Sequence, residues 1–460
     1  MALDIRLKRQ EFNLSQAQLS EILDWNQAKL SKLELLKEAL CEADERQILT
    51  AFEFIKEGKI VVRRKKRISK EKFSESVIDK YPRRSYEKTL GNADYIQALH
   101  HLENEFIKDH SQGPTAISFF AGCGGLCYGI AAAGFNIVAA NELEENYRNI
   151  YKLNFPDACF LTNDIRNITV SEVNELKKKY TDIDLFAGGP PCQGFSLAGK
   201  RDISDDRNTL FQYYLHIAEL IRPKVILMEN VRLLTSMKLP DGNFVKDNVL
   251  DTFKDIGYEG RFFIVNAKNY GVPQNRERVI FIGIRGDLKK MPDIPEPLFG
   301  DGDIFSEKYR TFGDAVSDLE YIESGEESKT DIYHRAVKHP EHVIRWLYDV
   351  PQGKSAHDNK ELGMRPPSGY NTTYKRQVWN DAGCTVTTNF GMISGCNNVH
   401  PIATRALTIR EALRLQSFPD SFRLMGKDGD IRTVIGNAVP PLLAYEIAKF
   451  IKVNYNLSKA

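Results

Sequence analysis

Apolar residues along this chain change their period twice. Over the first 60 residues, Leu3, Leu7, Leu14, Leu19, Ile22, Leu23, Leu30 and Leu33 recur near helical spacing, which predicts helices that bury one face. Within SQAQLSEILDWNQAKLSKLE the pattern reads as two short helices around a tight turn, with Ser15 capping the first and Asn26 the second. Residues 71–112 are polar and read as a helical connector, closed by Gly113-Pro114. From Thr115, short apolar runs at 116–120, 137–140, 158–161, 183–187, 225–228, 262–265 and 279–284 alternate with amphipathic stretches such as 144–153 and Leu210–Ile221. That alternation predicts an α/β fold built on a doubly wound, mostly parallel sheet. Such sheets hold ligands at the carboxyl ends of their strands. After Arg285 the alternation breaks, and residues to about 404 are irregular and rich in Gly, Pro, Asn and Lys. Regular structure returns beyond them and closes on a helix at 442–453. The expected division is 1–60, 61–113, 114–290, 291–404 and 405–460.

A chain of 460 residues exceeds what one core usually holds, which agrees with several domains. Lys and Arg (63) nearly balance Asp and Glu (62), so bulk charge announces no polyanionic partner. A local exception is the five-residue basic run from Arg63 to Arg67 in VVRRKKRISKEKF. It reads either as a solvated linker or as a non-specific grip on phosphates. The seven cysteines are an odd set with no paired framework, and no His or Cys cluster completes a zinc site around Cys123 and Cys127. No metal is therefore expected. The N-terminus lacks the apolar core of a signal peptide, and no apolar run is long enough for a bilayer. A reduced, cytoplasmic location without a membrane partner is the expectation.

Candidate chemistry gathers at strand ends. The first strand runs into Phe120-Ala121-Gly122-Cys123-Gly124-Gly125, a turn that lets a ligand approach the backbone before a helix. Glu142 ends the second strand, suited to accept from ribose hydroxyls. Asp164, after the third, offers a second carboxylate. Each alone reads as a solvated loop residue; together they favour an adenosine-bearing cofactor. A dinucleotide site shares this logic, but Cys127 stands where its third glycine would be. The fourth strand leads into Gly188-Gly189-Pro190-Pro191-Cys192-Gln193-Gly194-Phe195-Ser196. A lone cysteine is ordinarily a buried, inert residue. This one sits in a rigid turn at a strand end, where backbone N–H groups favour thiolate. Glu229, at the neighbouring strand end, adds the acid that thiolate attack on an electron-poor pyrimidine requires.

At this point the chain resembles the DNA (cytosine-5)-methyltransferases. FAGCGG, PPCQGFS, ENV, QNRER (274–278), RALTIREALRLQSFPD (405–420) and IGNAVPP (435–441) stand in that family's order. The resemblance implies an S-adenosylmethionine-dependent enzyme acting on double-stranded DNA, with Cys192 as nucleophile and Glu229, Arg276 and Arg278 around a flipped cytosine. It implies that Phe120 stacks on the adenine, Glu142 holds the ribose, Asp164 meets the adenine amino group and Asn437 lies near the methionine end. Gly122, Gly124, Gly125, Ile165 and Pro190 complete that cofactor site. By the same resemblance 114–290 and 405–460 are the catalytic and cofactor-binding domain, and 291–404 recognises the target. A restriction-modification role and a catalytic monomer are expected. Ser118 and Leu143 depart from the family pattern, which usually has an acid and an aromatic there. An RNA methyltransferase, a regulator on a degenerate scaffold and a nicotinamide dehydrogenase are the rival readings. The recognition insert, the retained Cys192 and Glu229, and the broken glycine pattern oppose them in turn.

The N-terminal helix pair resembles the helix-turn-helix of phage-repressor-type regulators, whose second helix enters the major groove. Asp24 stands in its turn, where that family often has Gly. Leu30 and Leu33 would pack inward, leaving Gln27, Lys29, Ser31 and Lys32 to meet operator DNA. A helical bundle used for docking is the alternative for 1–60.

Overall fold

The computed structural model describes residues 5, 8, 9, 12, 14, 16–23, 25–34, 41–57, 81–180, 182–191, 210–239, 242–302 and 306–457. They fall into two compact units, 1–80 and 81–460.

In the first unit, α1 (Gln16–Leu23) and α2 (Gln27–Glu34) stand three residues apart in sequence, and α3 (Glu42–Lys56) follows. Eight-residue helices do not persist alone in water. Here they bury one shared leucine face: Leu19, Leu23, Leu30 and Leu33 pack with Ile48 and Phe52 of α3. The rim is ionic. Arg9 donates to both carboxylate oxygens of Glu34 (2.6 and 2.9 Å). Lys29 pairs with Asp44 at 2.8 Å and lies 4.0 Å over the Trp25 ring, and this pairing holds the Asp44 carboxyl below its usual range. Lys32 is exposed and Ser31 half-buried. Ser15, Asp24 and the basic run 63–67 lie outside the described residues.

The second unit opens on α4 (Leu90–Phe106), within the segment read as a connector. Tyr95, Leu99 and Leu102 recur at helical spacing and are buried in the main core. Seven strands follow: β1 (Thr115–Phe119), β2 (Asn136–Asn141), β3 (Cys159–Phe160), β4 (Leu185–Gly188), β5 (Val225–Val231), β6 (Tyr258–Asn266) and β7 (Glu277–Arg285). Their order is β3-β2-β1-β4-β5-β7-β6, with β1 to β5 parallel and β7 antiparallel to both neighbours. Crossovers carry α5 (Gly125–Ala132), α6 (Glu145–Asn154), α7 (Val170–Lys179), α8 (Leu210–Ile221) and α9 (Val245–Asp255). Period-2 alternation splits the strands between two apolar layers. Ala116, Ala140, Ala187 and Leu227 face one; Ile117, Phe119, Phe186 and Met228 face the other. Small residues on the first face let helices approach closely. At Gly129 in α5 a methyl group would meet Ala444 Cβ and Tyr445 N at 2.5 Å.

Several strands run longer than their apolar cores predict, among them β5, β6 and β7. β5 continues through Glu229 and Asn230 to Val231 because β7 pairs with it, Glu229 opposite Ile280 and Val231 opposite Arg278. β6 begins at Tyr258, where Glu259, Gly260 and Arg261 hide the pattern. As an edge strand it buries few side chains and is set by its ladder to β7. β3 shrinks to two residues.

Residues 291–404 carry only short elements, among them α10 (Phe312–Val316) and α11 (Glu341–Leu347). Then α12 (Ile409–Leu415), α13 (Asp428–Asn437) and α14 (Pro441–Asn454) return to the core. The stretch Asp428–Asn454 meets the length and composition of a membrane span, but it breaks at Ala438 and its most apolar part is mostly buried.

Candidate active site

The carboxyl ends of β1, β2, β4 and β5 open into a cavity of about 550 Å³, a common size for a ligand site. Its floor is the turn after β1. Phe120 (φ 53°), Gly122 (φ 56°) and Gly124 (φ 96°) adopt left-handed conformations, so the chain reverses within five residues before α5. Gly125 lies against the returning segment: a methyl there would fall 2.5 Å from the Val439 carbonyl. Glu142 holds the turn from the side. Its Oε2 accepts from Gly122 N (2.8 Å) and its Oε1 from Glu144 N (2.9 Å). Burial pushes this carboxyl up, against the pull of those amides. Asp164 pairs with Arg166 at 2.6 Å and accepts from its backbone N–H at 3.0 Å. That pairing, larger than burial, lowers the Asp164 pKa.

Across the cavity, Glu229 Oε1 meets Arg278 Nε at 2.7 Å, each side chain 11% exposed. Asn230 Nδ2 donates to the Pro190 carbonyl at 2.8 Å and so fixes the turn that leads into Cys192. A methyl on Gly189 would sit 3.0 Å from Glu229 Oε2; glycine is what lets the turn pass the acid. Arg276 is buried, and its terminal nitrogens donate to the carbonyls of Val386 (3.1 Å), Gly436 (2.9 Å) and Ala438 (3.0 Å). Burial, then the neighbouring Arg278 charge, drives its pKa down. Gln274 extends the stitch, donating to Gln416 Oε1 (2.9 Å) and accepting from Val386 N (2.9 Å). Arg276 and Gln274 thereby tie residues 274–276 to 386 and to 416–438.

Phe120, Gly122, Gly125, Glu142, Asp164, Ile165, Pro190, Glu229, Arg276, Arg278 and Asn437 thus line one cavity. Gly124 lies behind it, where a methyl would strike Phe155 at 2.6 Å. Cys192 and residues 193–209 are outside the described residues. Gln27, Lys29, Ser31 and Lys32 belong to the other unit. Three contributors escaped sequence reasoning. Arg166 neutralises Asp164, Asn230 orients Pro190, and Gly189 makes room for Glu229. For the last two the signal was adjacency, one to Glu229 and one to Pro190.

Residues 115–453 match the family profile of the C-5 cytosine-specific DNA methylases. The chain belongs to this family. It is 33% identical over 373 residues to the Type II methyltransferase M.DdeI of Desulfomicrobium norvegicum, covering 73% of this chain and 88% of that protein. To the Type II methyltransferase M1.HphI of Haemophilus parahaemolyticus it is 36% identical over 348 residues, 74% and 88% of the two chains. In fold it resembles an Escherichia coli prophage protein described as a DNA modification methyltransferase, with TM-score 0.57 and 23% identity over 75% of this chain and 99% of that one. The protein is a DNA (cytosine-5)-methyltransferase, and its methyl donor is S-adenosylmethionine. The cavity suits that donor. It sets an aromatic ring, Phe120, and two carboxylates, Glu142 and Asp164, around a left-handed backbone turn.

Proposed function

We propose that this methyltransferase works through a covalent adduct between Cys192 and C6 of a cytosine flipped out of duplex DNA. The observation that carries the reading is the Glu229–Arg278 pair, nearly buried, beside the Asn230–Pro190 hydrogen bond at the turn that precedes Cys192. C5 of cytosine is a poor nucleophile inside an aromatic ring. Addition of the Cys192 thiolate at C6 breaks aromaticity and gives C5 enamine character. Glu229 accepts from the exocyclic amine and delivers a proton to N3, which neutralises the charge the addition puts on the ring and is taken back when the adduct collapses, with Arg278 holding the carboxyl group in place. Bound S-adenosylmethionine would supply the methyl to C5 from its sulfonium, its S–CH3 bond breaking to leave the neutral thioether S-adenosylhomocysteine. A water-relayed base then removes the C5 proton and the C6–S bond breaks, returning the thiolate.

Phe120, Ile165 and the turn 121–125 are assigned to the adenosine end of the cofactor, Glu142 to the ribose, Asp164 to the adenine amino group and Asn437 to the methionine end. Arg276 acts from behind, as a clamp on 386 and 436–438. Residues 291–404 read bases in the major groove. A stacked cytosine offers no room for attack on C6, hence base flipping. The enzyme works as a monomer and protects its host's DNA from a cognate endonuclease. The N-terminal unit is a helix-turn-helix that binds operator DNA upstream of the enzyme's own gene. Its two eight-residue helices, three residues apart in sequence, support that assignment.

The test is Cys192→Ser. Serine keeps the shape but is a far weaker nucleophile at neutral pH. Turnover should be abolished, at tenfold per ~1.4 kcal/mol of added barrier, while calorimetry finds cofactor affinity unchanged. Near-normal turnover by the serine variant would remove Cys192 from the chemistry.

A further inference from the structure

Residues 81–95 precede the family-matched stretch, which begins at 115, yet they are tied to it along their whole length. Arg83 Nη1 donates to Glu326 Oε1 (2.7 Å) and Nη2 to the Tyr321 carbonyl (2.6 Å). The Arg84 guanidinium lies 4.4 Å over the Tyr348 ring and donates to that residue's carbonyl, while the Tyr348 hydroxyl donates back to the Pro82 carbonyl at 2.8 Å. Tyr86 is wedged between Trp379 and Tyr321, with ring centroids 4.7 and 5.3 Å away. Thr89 Oγ1 donates to Asp314 Oδ1 (2.6 Å), and buried Asn92 donates to the Asp314 carbonyl (2.9 Å) and to Asp318 (2.8 Å). Behind these, the Tyr95 hydroxyl donates to the Arg414 carbonyl in α12, and the Phe106 ring stacks on Tyr128 of α5 at 3.9 Å.

One end of this segment is therefore built into the cofactor core, and the other grips 321–348 and Trp379. Among the described residues, 291–404 has only short helices, two-residue strands and isolated bridges. A segment with little regular structure keeps a fixed orientation only if something outside it holds it. We infer that residues 81–95 are a strap that sets the pose of 291–404 over the catalytic core, with Tyr86 as its central positioning residue. The inference rests on reading 291–404 as the part that recognises DNA. Without the strap, 291–404 must be ordered each time DNA binds, which weakens DNA binding while leaving the reacting groups as they are.

The test is steady-state kinetics on the full chain, with site-bearing duplex DNA as the varied substrate. Tyr86→Ala should raise the DNA KM about tenfold while kcat at saturating DNA and S-adenosylmethionine affinity stay within about twofold, the pattern of lost uniform binding. Tyr86→Phe should restore the normal KM, because the ring makes the wedge and the hydroxyl reaches only the Leu319 carbonyl at 3.3 Å. The double variant Arg83→Ala/Arg84→Ala removes side chains that are 51% and 33% exposed. It should fold normally and raise the KM in the same direction. An unchanged DNA KM in both Tyr86→Ala and the double variant overturns the strap. So does a joint loss of kcat, KM and cofactor affinity, which would mean a purely structural role. A third chain, with 365–372 replaced by a glycine–serine run, tests the reading underneath. If it loses site choice in bisulfite sequencing while the strap variants behave normally, the strap alone fails. If it methylates its usual site with unchanged KM, the recognition reading fails and takes the strap with it.

Discussion

Both carboxylate oxygens of Glu142 already accept from backbone amides, and each keeps a second lone pair toward the cavity. The side chain thus shapes the turn after β1 as well as lining the cavity. Glu142→Ala and Asp164→Ala should each weaken S-adenosylmethionine binding by about 1–3 kcal/mol, the range for a hydrogen bond to a charged group. Calorimetry that finds neither change would mean the pocket is misassigned. A pH effect follows from burial, which raises the Glu142 pKa. A raised carboxyl favours its neutral form in the folded protein. Its contribution to stability is therefore full below the ordinary glutamate pKa and is lost as pH rises through the raised one. Ribose hydroxyls need the ionised form, so cofactor affinity runs the other way. It should decline as pH falls through that raised pKa, sooner than an ordinary glutamate near ~4.3 would allow, and Glu142→Gln should flatten the decline. An identical pH slope in the glutamine variant would exclude Glu142 as its source. At this scale the sequence was most legible where a residue type has one chemical use, as with a carboxylate at a strand end. Arg276 was harder to read. Arg276 and Arg278 look equivalent in QNRER, but burial beneath three carbonyls makes one a clamp and exposure to Glu229 makes the other a partner.

Elements were legible where burial on one face leaves a clear period. Leu210–Ile221 begins and ends where its pattern does, and α14 differs by a residue at each end. β5 and β6 were read too short because antiparallel pairing with β7, a long-range contact, extends them past their apolar cores. The start of α12 was missed although its signal stands in the sequence, the Thr408-x-x-Glu411 pattern of a capping box. Thr408 and Glu411 form a capping box, and Glu411 also takes a bidentate bond from Arg405 (2.7 and 2.8 Å) with both side chains fully buried. Burial pushes the Glu411 carboxyl up, but the Arg405 guanidinium and then His400 outweigh it and hold it well below the usual range. A depressed carboxyl contributes stability that is present above its unfolded pKa and is lost as pH falls toward the folded one. Glu411→Gln should cost about 3–5 kcal/mol, since it strands a buried guanidinium. Urea denaturation showing under about 1 kcal/mol would contradict this account of the pair.

At the scale of the whole molecule, the chain divides into two compact units. If the first is an operator reader, removing residues 1–70 should spare methylation in vitro and abolish a footprint on the region upstream of the gene. That footprint should weaken steeply with salt as phosphate contacts release counterions. A full-length protein that protects no upstream site at low salt would leave the docking bundle as the better reading. The α/β plan was legible because strands buried on both faces read as short apolar runs, whereas 291–404, built from loops and side-chain bonds, has no period to read. The central claim is covalent catalysis by Cys192, and trapping tests it most directly. Duplex DNA with 5-fluorocytosine at the target cannot release C5 fluorine as a proton, so the C6–S bond should persist after methyl transfer. The account predicts a complex that survives denaturing electrophoresis, requires S-adenosylmethionine to accumulate and is absent with Cys192→Ser. A complex that forms equally well with the serine variant would contradict it.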